Sequence, residues 1–127
     1  MKSPKVVKAA AQMWPRLVFD FEEKHTVKEC LREPGVYVLF REDEPYYVGK
    51  TKNKLFTRIR AHATRTRDRY YHFWNYFSAY LVPDSKHRDE VEGILIASMP
   101  TANSASPKIK RIHLPREVTT MMKRLRR

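Results

Sequence analysis

Gly35-Val36-Tyr37-Val38-Leu39-Phe40-Arg41 and, a polar step later, Tyr46-Tyr47-Val48-Gly49 form the stretch that decides the fold of this 127-residue chain. The first piece is rich in β-branched and aromatic residues, Glu42-Asp43-Glu44-Pro45 is turn material, and the second piece reads as the return strand of a hairpin. Side chains alternate faces along a strand, so the turn decides what the hairpin presents. A three-residue turn over 42–44 puts Tyr37 and Tyr47 on one face, and a four-residue turn puts them on opposite faces. The residues themselves leave both open. Directly behind comes a basic segment, Lys50 to His62, expected to lie on a helix from Asn53 to about Thr66 with Leu55, Ile59, His62 and Ala63 along one stripe. Arg58 and His62 are neighbours on that helix by their spacing. Tyrosines able to handle a proton, beside an arginine able to hold a phosphate, point to chemistry on a phosphodiester.

Working outward, residues 1–33 read as an extension packed on a core. A helix is expected over Pro4 to Met13, ended by Pro15. A short strand or extended arm is expected over Leu17 to Phe21. A short helix opens at Thr26-Val27-Lys28-Glu29, which has capping-box spacing, and Pro34 stops it. On the other side, the aromatic run Tyr70 to Phe77 leads into a third strand over about Tyr76 to Val82. Aromatics entering a strand are core more often than platforms for unpaired bases. Asp84 or Ser85 then caps a helix reaching about Ser98, with Val91, Ile94, Leu95 and Met99 on its apolar stripe and Glu92 beside it. Pro100 ends that helix, 101–107 is loop, and a last helix begins near Pro115 and runs into a basic tail.

Charge is the second strong signal. The net formal charge is +12, and it is concentrated. Residues 50–69 carry eight Lys/Arg against Asp68 alone, and residues 108–127 carry eight against Glu117 alone. Two such blocks resemble an electrostatic footprint for a polyanion. A single cysteine, Cys30, excludes an intramolecular disulfide and any multi-cysteine zinc site. No apolar run approaches the length of a bilayer span and no signal-peptide pattern opens the chain, so a soluble, cytoplasmic protein without a membrane partner is the expectation.

Gly35-Val36-Tyr37, the ten-residue step to Tyr47-Val48-Gly49, then Arg58, Glu92 and Pro100-Thr101-Ala102-Asn103 resemble the GIY-YIG nuclease family over about residues 34–104. Each motif alone is weak; five in the correct order at compatible spacing are strong. Both glycine-tyrosine motifs carry Val where the family name has Ile. The resemblance implies an α+β fold with a small central three-stranded antiparallel sheet flanked by helices. Residues 1–33 become an N-terminal helical extension and 105–127 a basic C-terminal helix and tail. It also implies a divalent ion, Mg²⁺ or Mn²⁺, bound by Glu92, and a site formed by Tyr37, Tyr47, Arg58, His62, Glu92 and Asn103. By the same analogy both tyrosines share a face, which favours the odd-length turn, and Tyr37 stands slightly ahead of Tyr47 as the base.

The chemistry stands on its own terms. Arg58 supplies a fork of donors to a phosphate, and Glu92 with waters suits a hard ion that keeps much of its hydration. A tyrosine with a pKa of about 10 needs a cation nearby to act as a base, and Lys50 or Arg58 could serve. With no further binding domain in view, DNA contact falls to Lys50, Lys52, Lys54, Arg60, Arg65, Arg67, Lys108, Lys110 and Arg111. That predicts low sequence specificity and steep salt dependence. The reading is a metal-dependent DNA endonuclease acting on branched, damaged or single-stranded forms, with RNA left open. Plainer readings compete. The tyrosines could be ordinary strand residues, His62 a core histidine and Asn103 a loop-former, while Arg60 rivals Arg58 and Glu90 rivals Glu92. A nucleic-acid-binding protein that has lost cleavage is the main functional alternative. A ribonucleoprotein component or a membrane-surface binder is a third, resting on charge alone.

Overall fold

The structure, a computed structural model, describes residues 5–21, 24–67, 73–99 and 112–126. Strand β1 (Ala9–Pro15) leads through a 3₁₀ turn (Arg16–Phe19) and helix α1 (Lys24–Cys30) to the hairpin β2 (Gly35–Arg41) and β3 (Glu44–Thr51). Helix α2 (Leu55–Thr64), strand β4 (Tyr76–Leu81), helix α3 (Ser85–Ser98) and helix α4 (Arg116–Leu125) follow. The strands make one antiparallel sheet in the order β1-β4-β2-β3.

The fourth strand corrects the expected helix over Pro4 to Met13 and the expected three-stranded sheet. The alanines have high helix propensity, yet Ala9 and Ala11 pair with Leu81 and Ala79 of β4, and Ala11 is buried. Propensity amounts to only about 0.7 kcal/mol per residue, and it yields to a ladder that covers the otherwise open edge of an apolar strand. Pro15 sits at the end of this edge strand, where a missing N–H is tolerated. The expected strand or arm after it is instead the 3₁₀ turn. Only Phe19 of the Leu17/Phe19/Phe21 alternation is buried, stacked on Phe77 at 5.5 Å and against Phe56 at 5.6 Å.

The hairpin meets the expectation about faces by a different route. Its turn has two residues, Glu42 and Asp43, and a bulge follows. Phe40 pairs with Pro45 but Leu39 pairs with Tyr47, leaving Tyr46 as the extra residue. That bulge returns Tyr47 to the face of Tyr37. Glu42 adopts φ 55°, unusual for a side chain of its size. Asn75 holds it there: the Asn75 Oδ1 accepts from the Glu42 N–H at 2.8 Å, and Asn75 Nδ2 donates to the Glu42 carboxylate at 2.9 Å.

The sheet buries both faces. On one, Tyr37, Leu39, Phe77 and Ala79 pack with Leu55, Phe56 and Ile59 of α2, Leu31, Phe19 and Trp74. On the other, Val36, Val38 and Val48 pack with Val82, with Val91, Leu95 and Ile96 of α3, and with Met99 just past its end. The Val residues of the two motifs belong to this second layer, where both are fully buried. Helix α3 is capped as expected by Asp84, whose carboxylate accepts from the N–H groups of Lys86 and His87. Ile94, expected on the α3 stripe, is exposed, and Ile96 takes its place. Helix α4 starts after Pro115, as read from the sequence, and buries none of its residues. Among the described residues no helix is long and apolar enough to cross a membrane.

Candidate active site

Tyr37 lies at the centre of β2 with no solvent exposure, opposite Gly49 of β3 and Ala79 of β4. Its ring covers Gly49 so closely that a Cβ there would collide with the phenol's Cζ and Oη. Gly35 is equally constrained, since a Cβ would strike the Tyr80 carbonyl and Leu55. Neither glycine has positive φ. Both are needed for close approach rather than for backbone freedom.

The Tyr37 hydroxyl is the hub of the first cluster. His62 Nε2, buried on the inner side of α2, is 2.8 Å away, and Arg58 Nε donates to the hydroxyl at 3.3 Å. One consistent proton assignment runs from Arg58 into the hydroxyl and from the hydroxyl to a neutral His62 protonated at Nδ1. Tyr47, half-buried, completes the group with its ring 6.2 Å from Tyr37 and 5.9 Å from His62. Helix α2 is aimed by its first turn, where the N–H groups of Leu55 and Phe56 bond to the carbonyls of Glu33 and Leu31. The four-residue spacing of Arg58 and His62 then brings both to Tyr37.

The second cluster lies on the other face. Lys50 follows Gly49 and so points toward α3, where its ammonium reaches Asp89 at 2.5 Å and Glu92 at 3.5 Å. The hydrogen bond to Asp89, more than the charge of Glu92, raises the Lys50 pKa above its ordinary 10.5, against the opposing effect of burial. Glu92 is itself largely covered, with a side-chain exposure of 21%. Asp89 is not among the site residues expected from the sequence. The signal was its place three residues before Glu92, on the same side of a helix.

Thus Tyr37, Tyr47, Arg58 and His62 come together, and Glu92 joins Lys50 where the edge strand β3 passes from one cluster to the other. Lys52, Lys54, Arg60, Arg65 and Arg67 are exposed around α2. Asn103, Lys108, Lys110 and Arg111 lie outside the described residues. Of the aromatic run, Trp74 and Phe77 are core, while Phe73 is exposed and stacks on Tyr46 at 5.5 Å.

Among the described residues no group of three or more His, Cys, Asp or Glu is placed to hold a metal ion. A divalent ion would rest on Glu92, with Asp89 near, and take its other oxygens from water and phosphate. A hard, hydrated ion accepts that donor set.

A small α+β domain with two phenols, a guanidinium and a covered carboxylate around a sheet edge has the parts of a phosphodiesterase. Residues 33–105 match the family model described as the GIY-YIG catalytic domain, and the chain belongs to that family. It is therefore an endonuclease by class, with nucleic acid as its partner. A similar solved structure is the GIY-YIG N-terminal endonuclease domain of UvrC from Thermotoga maritima, a point mutant bound to its catalytic divalent cation. That domain is 27% identical, with 61% of this chain and 90% of that chain covered and a TM-score of 0.47. No curated protein matches the chain.

Proposed function

We propose that the protein is a metal-dependent DNA endonuclease whose reacting phosphate lies across the edge of β3, between the two clusters. The observation that carries the reading is the succession Tyr47-Val48-Gly49-Lys50. It presents a phenol ring to Tyr37 and His62 on one face and an ammonium to Glu92 and Asp89 on the other.

Arg58 holds the non-bridging oxygens with its planar fork, fixed in direction by the bond from Nε to Tyr37. Tyr47 takes the proton of the attacking water, because its hydroxyl belongs to a half-buried ring. Tyr37 is sealed from solvent and engaged with His62, which makes it a positioning residue for Arg58 and for the face of Tyr47. Glu92 would hold the divalent ion, Mg²⁺ or Mn²⁺, with Lys50 setting the direction of its carboxylate. When bound, the ion supplies Lewis-acid stabilisation of the departing 3′ oxygen. Asn103 and the cations at 108–111 belong to the same reading. The notional units are an extension over 1–33, a catalytic core over 34–104 and a tail over 105–127.

The test is incubation with duplex, nicked, branched and single-stranded DNA, and with RNA, in Mg²⁺, Mn²⁺ or chelator. Cutting of DNA that requires the metal and falls by a factor of about 10² or more in Glu92→Ala is expected. Glu92→Ala cutting as well as the parent refutes the site. Tight binding without cleavage in both forms establishes the non-catalytic alternative instead.

A further inference from the structure

The outer side of α2 carries a feature that the proposed site does not use. Thr57 and Ala61, one turn apart on the solvent side of the helix, separate two hollows. The hollow on the site flank is bordered by Arg58, Asn53 and Thr51. The hollow on the other flank lies against α1 and is bordered by Lys28, Arg60 and Thr64. Arg65 borders both.

We propose that the hollow between α1 and α2 binds a backbone phosphate of the DNA strand that enters the active site, through Lys28, Arg60 and Arg65. The inference rests on the DNA-endonuclease reading and extends it along the strand. Lys28, Arg60 and Arg65 converge on one concavity with no carboxylate in its described lining. Two hollows elsewhere differ in this: at the hairpin end Arg41 sits beside Glu42, and below the 3₁₀ turn Arg16 sits beside Asp20. Among the described residues no ion pair engages Lys28, Arg60 or Arg65, whereas Lys8, Arg32 and Lys50 each meet a carboxylate. Clustered cations repel one another until an anion enters, and a phosphate satisfies the charge and the guanidinium geometry together.

Spacing fits a strand. Arg58 to Arg65 spans about 10 Å of helix axis at about 1.5 Å per residue. A DNA strand carries a charge each 3.4 Å or so of its axis. The low wall of Thr57 and Ala61 lets the backbone pass from the site flank to the α1 flank. Lys28 comes from the segment before the hairpin, so that segment would contribute to substrate binding as well as a strand to the sheet.

The test is fluorescence anisotropy with labelled duplex DNA in chelator, over a salt series from about 50 to 200 mM, for the parent and for Lys28→Ala/Arg60→Ala. Lys86→Ala, an exposed cation on α3, is the control, and Lys28→Glu/Arg60→Glu is a stronger second variant. The double alanine variant should bind roughly tenfold weaker at low salt, with a plot of log K against log salt shallower by about 1 to 2. The charge-reversed variant should lose more, and the control should bind as the parent does. Equal effects in the control, an unchanged salt slope, or dependence on these residues with RNA only would overturn the proposal. The two readings fail separately. A parent that cuts DNA while the double variant keeps parental affinity sinks the hollow alone. Hollow-dependent binding without cleavage in Mg²⁺ or Mn²⁺ sinks the nuclease chemistry alone.

Discussion

Gly49→Ala should be severely destabilising although it looks mild. Glycine in a strand at negative φ normally gains from alanine, by about 0.4–1 kcal/mol, because the unfolded chain loses freedom. Here the added Cβ would overlap Cζ and Oη of Tyr37. The ring cannot swing away, since Tyr37 is fully buried with Tyr47 and His62 against it at 6.2 and 5.6 Å. Overpacking of a tight core costs about 1–3 kcal/mol. Any retreat of the phenol also strips buried His62 of its 2.8 Å partner, a further loss of about 1–3 kcal/mol. The clash therefore exceeds the entropic gain, leaving a net loss of about 1–5 kcal/mol.

Urea unfolding followed by tryptophan fluorescence measures this, and thermal melts should fall by roughly 3–5 °C per kcal/mol for a domain of this size. The double mutant supplies the sharper check. Tyr37→Phe removes Oη, one of the three ring atoms struck, so its loss and that of Gly49→Ala should sum to more than the loss in the double variant by at least about 0.5 kcal/mol. Gly49→Ala with parental or higher stability would refute the ring-over-glycine geometry. Strict additivity would refute the contact even if the single variant were unstable.

Tyr37→Phe should lose about 1–3 kcal/mol in urea unfolding because it removes the buried 2.8 Å hydrogen bond between the hydroxyl and His62. Tyr47→Phe should keep its stability and lower single-turnover cleavage by about 10²–10⁴, the range for a general base. Hydrogen bonds from the N–H groups of Lys86 and His87 hold Asp84 below its ordinary 3.8, so its contribution is present above that value and lost as pH falls through the folded pKa. The stability difference between the parent and Asp84→Ala should be flat near neutrality and shrink under acid unfolding conditions. For Lys50 the sign reverses. Its folded pKa is raised, so the advantage over Lys50→Met should be constant up to pH 10.5 and disappear as the pH climbs through the folded value.

The sequence revealed local chemistry more fully than pairing. The hairpin, α2, β4 and the Asp84 cap each carry a periodic pattern or a capping residue within a few positions, and the structure has them all. The first strand does not. Ala9 to Met13 has the composition of a helix, and only the open edge of β4, far along the chain, makes it a strand. The meeting of Arg58 and His62 with Tyr37 was partly legible, because helix spacing links the first two. The Lys50–Asp89 pair was not, because it depends on which face Lys50 takes, and that follows from the bulge rather than from any residue type.

That bulge has two consequences that belong together. Strand β3 is an outer strand of the sheet, and an unpaired edge invites another chain to add to it. Pro45 and the extra residue Tyr46 interrupt the edge near the turn and discourage such pairing. The same insertion shifts every later residue of β3 by one position. Without it Leu39 would oppose Tyr46, Tyr47 and Gly49 would face α3, and Lys50 would face α2. Tyr37 would then have a valine rather than a glycine across from it, with no room for its ring. The edge that must stay open for a phosphate to cross is thus kept from sheet extension by the same residue that sets the phenol, the glycine and the lysine on their proper faces.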